Sequence, residues 1–452
     1  MSWVAGALAL ALTGLGLAGT LGCSGHESRV AAAHDALDRG APAEAIAALG
    51  EELEVSSEND LPAELAGDDA LLVLDRGTIQ LWLRNWQLAN RDLSIADKSI
   101  ELLDMSGSAV DDLGKYLFSD DVGPYKAPAY EKLMINTLGM VGYLEQRDLQ
   151  GAKVEARRLA IVQKYLADRE DDTVMLGLGN YLAGFVFEKA GSRDEALLYY
   201  EEALSRGPYA SLRDPIRVLT QGAPSSPRMR ELVGDAGPLP AVGASGDSEL
   251  VVLVGYGRIP QKIPKRIPIG LALTLVSGYL SPYDQGRANE LALKGLVSWV
   301  SYPSLGPSRG SYSLPYVSLD GQPIALEEGL DVEAEVRRAF EKQEGAIVAS
   351  AITRLIARVA AGEVVHAVGR GSGKNGGLVG LLAGLATTAT LSALDTPDTR
   401  SWSTLPSKIA VARLRIPAGQ RRLRLEARGV ARDVVLDARA GGWSFASLHA
   451  LR

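Results

Sequence analysis

The spacing of small and aromatic residues between positions 177 and 208 constrains the fold of this 452-residue chain most strongly. Apolar residues recur there at helical intervals, and a turn at Gly191 divides them into two helices. Small side chains at Gly184 and Ala196 allow the two helices to approach closely, and aromatic residues fill the groove between units. The residues that we expect to pack this hairpin are Gly184, Phe187, Ala196, Tyr200, Ala203 and Pro208.

Weaker copies of this turn-to-helix spacing precede it in the chain. They begin at Gly40, at Arg84 and near Tyr143, and insertions near residues 56–69 and 105–128 separate them. The order of the residues resembles the tetratricopeptide pattern. The resemblance implies a divergent array of about four helix pairs over residues 23–220, and such arrays stack into curved surfaces that bind proteins.

Polar residues on the inner helices of such an array are candidates for contacts with a partner. They are Asn136, Asn180, Gln80 and Arg84. The alternative is that each of them only caps or packs against a neighbouring helix.

A second domain is predicted after a boundary rich in Pro, Gly and Ser. Residues 221–248 have the composition of a linker. Residues 249–452 combine short strand-like runs with longer helical stretches, which predicts an α+β domain: mixed antiparallel β structure with inserted helices. We therefore expect a multidomain chain, in which a helical repeat domain is followed by an α+β domain.

Within this second domain the apolar run at 249–255 predicts a buried strand, and Asp331 is a plausible N-cap for a long helix. Residues 409–416 and 420–426 flank a turn, which predicts a hairpin with one buried face and one solvated face. Strands at 433–437 and 443–448 would complete a small antiparallel sheet.

The first 22 residues carry no charged side chain and have the apolar character of a secretory signal. They lead to Cys23, the only cysteine of the chain, through Thr20-Leu21-Gly22. This run resembles the bacterial lipobox, which implies acylation of Cys23 and stable membrane anchoring. In Gram-negative lipoproteins, an aspartate directly after the acylated cysteine retains the protein in the inner membrane. Ser24 occupies that position here, so the resemblance implies the periplasmic face of the outer membrane. The alternative is an ordinary signal peptide, or an anchor helix, with a fortuitous cysteine.

The net charge of −8 argues against a nucleic-acid partner, which requires a broad basic field. Basic residues nevertheless cluster in two places within the second domain. We expect these clusters to dock a protein partner from the envelope or periplasm. They are Arg258, Lys262, Lys265 and Arg266, and Arg422, Arg424 and Arg428.

Motifs for catalysis, metals or cofactors are weak in this chain. The Gly-rich run at 369–377 departs from the phosphate-binding loop because Val368 and Asn375 stand where glycine and Ser or Thr are required. The four histidines, at 26, 34, 366 and 449, have no ligand spacing. The apolar segment 378–394 fits a buried helix better than a second membrane element. We therefore expect neither an enzyme nor a cofactor site.

Four segments together resemble one group of bacterial lipoproteins. They are the lipobox, residues 152–158, the pair 249–253 and 265–269, and residues 398–406. The group carries tetratricopeptide repeats and has no established activity. Its members can be encoded beside a lipoprotein that activates penicillin-binding proteins, which implies a role in cell-envelope assembly.

Two functions follow from these patterns. The first is a membrane-anchored periplasmic adaptor that holds protein partners. The second is a polysaccharide- or peptidoglycan-binding protein, or an enzyme, with its site in the C-terminal domain. In that second function aromatic side chains would stack on sugar rings; the candidates are Trp299, Tyr302, Tyr312, Tyr316 and Trp402.

Overall fold

The computed structural model describes residues 25–106, 125, 127–167, 176–276, 278–295, 297–309, 313–370 and 397–452. The N-terminal segment with Cys23, residue Tyr312, most of the Gly-rich run and the apolar segment 378–394 lie outside the described residues. Within the described part the chain is mixed α and β, with helices first and all strands after residue 246. This order confirms the predicted fold class at that level.

Four helical hairpins make up the described N-terminal part, because the two helices of each hairpin are joined by a short turn and pack side by side. The helices are α1 (His26–Arg39), α2 (Pro42–Glu52), α3 (Asp69–Leu83), α4 (Trp86–Ser106), α5 (Ala129–Glu145), α6 (Leu149–Ala167), α7 (Leu176–Lys189) and α8 (Arg193–Arg206).

Four of these turns share one geometry. Within two residues of the end of each first helix there is a residue in the left-handed region, with φ between 58° and 81°. The amide of the residue after it bonds back to a carbonyl five residues earlier. The alanine five residues after each turn residue is fully buried. The predicted turn-to-helix spacing is thus a real structural regularity, at Gly40 and Ala45, Arg84 and Ala89, Arg147 and Ala152, and Gly191 and Ala196.

The predicted linker is partly helical and packed. It begins directly after α9 (Arg213–Thr220) and contains all of α10 (Pro227–Val233). Met229 and Val233 of α10 are buried in the same core as the hairpins. Residues 221–248 are therefore not an open spacer along their whole length.

Two four-stranded sheets dominate the C-terminal part. We call them the central sheet, with strand order β10-β1-β7-β6, and the outer sheet, with order β5-β4-β8-β9; β2 and β3 form a separate ribbon. The strands are β1 (Asp247–Tyr256), β2 (Lys262–Pro268), β3 (Trp299–Leu305), β4 (Tyr316–Leu319), β5 (Gln322–Pro323), β6 (Glu327–Asp331), β7 (Lys408–Pro417), β8 (Gly419–Ala427), β9 (Val430–Ala438) and β10 (Trp443–Ala450).

Two details of the strand pairing correct the sequence prediction. The consecutive strands β7 and β8 do not form a hairpin, because the chain crosses at Ala418 from the central sheet to the outer one. The hairpin is β8–β9 instead. The central sheet is not purely antiparallel either, since β10 pairs with β1 in parallel.

The central sheet is covered on both faces, which explains the continuous apolar run of β1. Val251 and Leu253 pack with the core of the helices, whereas Leu250 and Val252 pack with the outer sheet. Helices, central sheet and outer sheet therefore form three layers, and the helical part and the central sheet share one core.

A smaller core lies beside these layers. It contains apolar side chains of α11 (Ile269–Leu275), α12 (Pro282–Leu293), the β2–β3 ribbon and α13 (Val332–Arg370). Asp331 caps α13 as predicted, since its carboxylate accepts a 3.0 Å hydrogen bond from the amide of Ala334. No helix in the described ranges combines the length and the apolar character that crossing a bilayer requires.

Candidate functional site

The predicted hairpin-packing residues meet between α7 and α8. A Cβ at Gly184 would lie 2.4 Å from ring atoms of Tyr200, so only glycine allows this approach. Phe187 stacks on Tyr199 with ring centroids 5.2 Å apart. Ala196 and Ala203 are fully buried, and Pro208 lies just after the end of α8.

The asparagines that we expected to face a partner are interior, which corrects that prediction. Asn136 is buried on α5 and donates a 3.1 Å hydrogen bond to Glu155. Asn180 on α7 is fully buried as well. Gln80 is buried and accepts from Asn85, whereas Arg84 is exposed. Of the four inner-helix candidates, only Arg84 is accessible to a partner.

The inner face of the helices, meaning the face toward the central sheet, is covered by the chain itself. Residues 400–407, here called the inner segment, have no regular secondary structure and are all buried. A buried irregular segment must bond its polar backbone groups to side chains. Asp75 on α3 accepts a 2.9 Å hydrogen bond from the amide of Thr404, and Glu131 on α5 accepts one of 2.9 Å from the amide of Trp402.

Ser403, His34 and Asp75 lie together under this segment, in the residue types of a hydrolase triad. His34 Nε2 is 2.7 Å from Ser403 Oγ, and Ser403 Oγ is 3.4 Å from the Asp75 carboxylate. In a triad the carboxylate holds the histidine and Nε2 accepts the serine proton. Here Arg258 donates to His34 Nδ1, so Nε2 bears the proton and donates to Ser403. The order of donors is reversed, and the three residues form a structural chain.

Burial raises the pKa of Asp75 from 3.8 to about 6, which makes its contribution to stability depend on pH. The pKa of Asp75 is higher in the folded chain than in the unfolded one, so the contribution of Asp75 to the free energy of unfolding is fully present below about pH 4. That contribution, about 3 kcal/mol, is lost as the pH rises through about 6. Asp75→Asn keeps an oxygen for the Thr404 amide but does not titrate. We expect wild-type stability, measured by urea unfolding, to fall relative to the variant between pH 4 and pH 6.5. A constant difference across that range would contradict this prediction.

A second buried polar group joins the helices to the central sheet. Arg413 on β7 donates to Glu249 of β1 at 2.8 Å, to Glu188 of α7 at 2.8 Å and to the Tyr200 hydroxyl at 2.7 Å. Lys189 also contacts Glu249, at 2.5 Å. Burial opposes ionisation of Glu188, but the Arg413 and Lys189 charges outweigh it and lower the pKa of Glu188 to about 2. We call these residues the ionic cluster; sequence reasoning missed it because its members are distant in the chain.

An accessible concave site lies where two of the predicted basic segments meet. A cleft of about 380 Å³ is lined by Asp38 at the end of α1, Ile263 of β2, Arg309, Arg428 and Arg452. Arg258 lies fully buried beneath it and bonds Asp38, and Arg309 donates to the same carboxylate at 2.7 Å. We call this site the arginine cleft. Asp38 is the one acidic side chain among its described lining residues.

The other basic residues that we expected to dock a partner lie outside the arginine cleft and make separate contacts. Lys262 donates to the Arg400 carbonyl at 3.0 Å, Lys265 lies over the Tyr302 ring, and Arg266 donates to Ser301. Arg424 pairs with Asp433 on the exposed face of the outer sheet, and the neighbouring Arg422 lies on that same strand. Of the seven predicted residues, only Arg428 lines the arginine cleft, and Arg258 lies beneath it.

The aromatic residues that we considered for sugar stacking are also dispersed. Tyr302 and Trp402 are fully buried, which removes them as stacking surfaces. Trp299 and Tyr316 are exposed, but they belong to the β2–β3 ribbon and to the outer sheet respectively.

Within the described residues, no group of three or more His, Cys, Asp or Glu side chains is arranged to hold a metal ion. No protein-family model matches the chain. No curated protein is significantly similar to it.

Proposed function

We propose that this protein is a lipid-anchored scaffold of the cell envelope, attached through Cys23 to the periplasmic face of the outer membrane. In this proposal the helical hairpins are divergent tetratricopeptide repeats, and the arginine cleft holds an acidic segment of a partner protein. The arginine cleft is the observation that carries the proposal.

The inner face of the helices is already covered by the chain itself, which directs the search for a binding site to other surfaces. Repeat arrays often bind peptides on their curved inner surface. Here the inner segment and the central sheet cover that face, so a partner must bind elsewhere. The arginine cleft is open to solvent and concave, and it is built from α1, β2, the loop after β3 and the β8–β9 turn.

The charge balance of the cleft favours an anionic partner. Three arginines, Arg309, Arg428 and Arg452, line the cleft, and Asp38 is the one acidic side chain among its described lining residues. Arg258 bonds the Asp38 carboxylate from beneath. Arginine presents paired donors that match carboxylate oxygens, and such charge-assisted hydrogen bonds are stronger than neutral ones. A segment rich in Asp or Glu supplies those oxygens.

The position of Arg428 adds to this argument. Arg428 and Gly429 are the two central residues of the β8–β9 turn, with φ of 48° and 75°. Such turns prefer Asn-Gly, because a longer side chain in the left-handed region costs about 1 kcal/mol or more. We infer that the arginine at this position serves binding, which compensates for its conformational cost.

Arg428→Asn separates binding from folding, because asparagine suits the turn but removes the guanidinium. We expect the conformational gain in the turn to offset the loss of the contacts that the guanidinium makes within the chain, so the free energy of unfolding should change by no more than about 1 kcal/mol. Binding of a fluorescein-labelled ten-residue glutamate peptide, measured by anisotropy at low salt, should weaken roughly tenfold. Arg424→Asn, the same change on the exposed outer sheet, is the matched control and should not alter binding. Equal losses in both variants, or equal binding of a lysine peptide, would refute the cleft as the docking site.

The anchor is tested independently of the cleft. Metabolic labelling with a clickable palmitate analogue should label the wild type but not Cys23→Ser, and membrane fractionation should place only the wild type in the outer membrane. Two acyl chains suffice for stable anchoring, so the change should be close to complete. Equal labelling of both proteins, or no label on the wild type, would remove Cys23 as the anchor.

A further inference from the structure

A second cavity lies at the interface between the helices and the sheets, where the chain has an unexplained polar side chain. It measures about 200 Å³ and is formed by the ends of α2 and α3 on one side and by β9 and β10 on the other. We call it the His449 cavity. Its lining residues used below are Pro42, Trp82, Leu83, Arg84, Arg432 and His449.

His449 is fully buried on β10, yet neither ring nitrogen has a hydrogen-bond partner among the described residues. Burial, and then the nearby Arg432 charge, lower the pKa of His449 to about 3, so the ring is neutral at physiological pH. A neutral imidazole offers one donor and one acceptor. Buried groups of this kind are almost always bonded, so this one points to a polar atom that enters the cavity.

The rim of the cavity carries a positive charge, that of Arg84. Arg84, which ends α3 in the left-handed region with φ of 66°, is exposed, and its guanidinium has no partner among the described residues. Arg432, by contrast, is neutralised by Glu145 at 2.5 Å and lies over the Trp86 ring. The cavity therefore presents one uncompensated cation.

The walls between Arg84 and His449 are apolar. Trp82 is nearly buried, and Pro42 and Leu83 complete that side. A volume of about 200 Å³ is below the roughly 300 Å³ of sites for drug-sized ligands. The space suits a ligand of about the size of one amino acid.

We propose that the His449 cavity binds a small carboxylate on an apolar body of amino-acid size. The carboxylate pairs with Arg84, the apolar body packs against Trp82, and a polar atom of the ligand bonds the His449 ring. This site is separate from the arginine cleft and does not depend on the anchor. The same chemistry occurs in a free acid and in the last residue of a peptide chain.

Saturation-transfer NMR on the full chain distinguishes these sources with three probes. N-acetylleucine represents a peptide terminus, 4-methylpentanoate represents a free acid, and N-acetylleucinamide lacks the carboxylate. At least one of the two acids should bind with a dissociation constant in the millimolar range, and the amide should not bind. Preference for N-acetylleucine indicates a peptide terminus, and preference for 4-methylpentanoate indicates a free acid.

Two variants then test the assigned roles. Arg84→Gln should weaken binding at least tenfold, whereas Arg39→Gln, on an exposed arginine outside the cavity, should leave it unchanged. His449→Phe keeps a ring of similar size, so the fold should persist while binding weakens. Absence of a signal from both acids, equal binding of the amide, or no effect of Arg84→Gln overturns the proposal. Stabilisation by His449→Phe with no acid binding to the wild type would show that the ring faces only water.

Discussion

Replacing Arg413 with methionine is expected to lower the free energy of unfolding by about 3–5 kcal/mol. The substitution keeps most of the side-chain length but removes the charge from the ionic cluster. Glu188 and Glu249 then remain buried, with Lys189 as their one remaining cation in the cluster. Removing the partner of a buried carboxylate destabilises the fold far more than breaking a surface ion pair, because water cannot solvate the charge that is left buried. Urea unfolding at neutral pH measures the loss.

Arg424→Met is the matched control for this prediction. Arg424 is also a strand arginine with two acidic partners, Glu426 and Asp433, but its side chain is 47% exposed, against 1% for Arg413. Exposed pairs of this kind contribute about 0–1 kcal/mol. Similar losses in the two variants would mean that the ionic cluster does not join the helices to the sheet as described.

Trp402→Ala is expected to cost about 3–5 kcal/mol, because it empties a fully buried site in the inner segment. The indole nitrogen of Trp402 donates a 2.9 Å hydrogen bond to the Thr78 hydroxyl on α3, and the substitution also removes that bond. Trp299→Ala removes an equally large side chain that is 55% exposed, and we expect it to change stability by no more than about 1 kcal/mol. Thermal unfolding of both variants compares them directly. Equal losses would place Trp402 outside the core.

Local features of the fold could be predicted from the sequence because neighbours along the chain determine them. The turn residue at Gly191 and the alanine at Ala196 are five residues apart, and that spacing holds in every described hairpin turn between α1 and α8. The apolar run of β1 and the Asp331 cap of α13 are local in the same sense.

Features that depend on distant residues could not be predicted. Nothing near Ala418 distinguishes a hairpin turn from a crossing between two sheets, since the difference depends on β1 and β4 as pairing partners. The inner segment gave no helical or strand pattern, and its hydrogen bonds go to α3 and α5, more than 270 residues earlier in the chain. The basic clusters of the sequence include Arg428, which lines the arginine cleft, and Arg258, which lies beneath it. The other charged residues of the cleft, Asp38, Arg309 and Arg452, belong to no motif that the sequence reveals.

The parallel pairing of β1 with β10 has a consequence for the order in which this protein is made. The strand that borders β1 is formed by residues 443–450, and the inner segment that covers the helices begins only at residue 400. During synthesis from the N-terminus, the last hairpin is complete at residue 206, and the apolar inner face of the helices stays uncovered until residues 400–407 have been made. A chain with contacts so distant in sequence folds slowly and exposes aggregation-prone surface meanwhile. We therefore expect the helices to be prone to aggregation until strand β10 has been made.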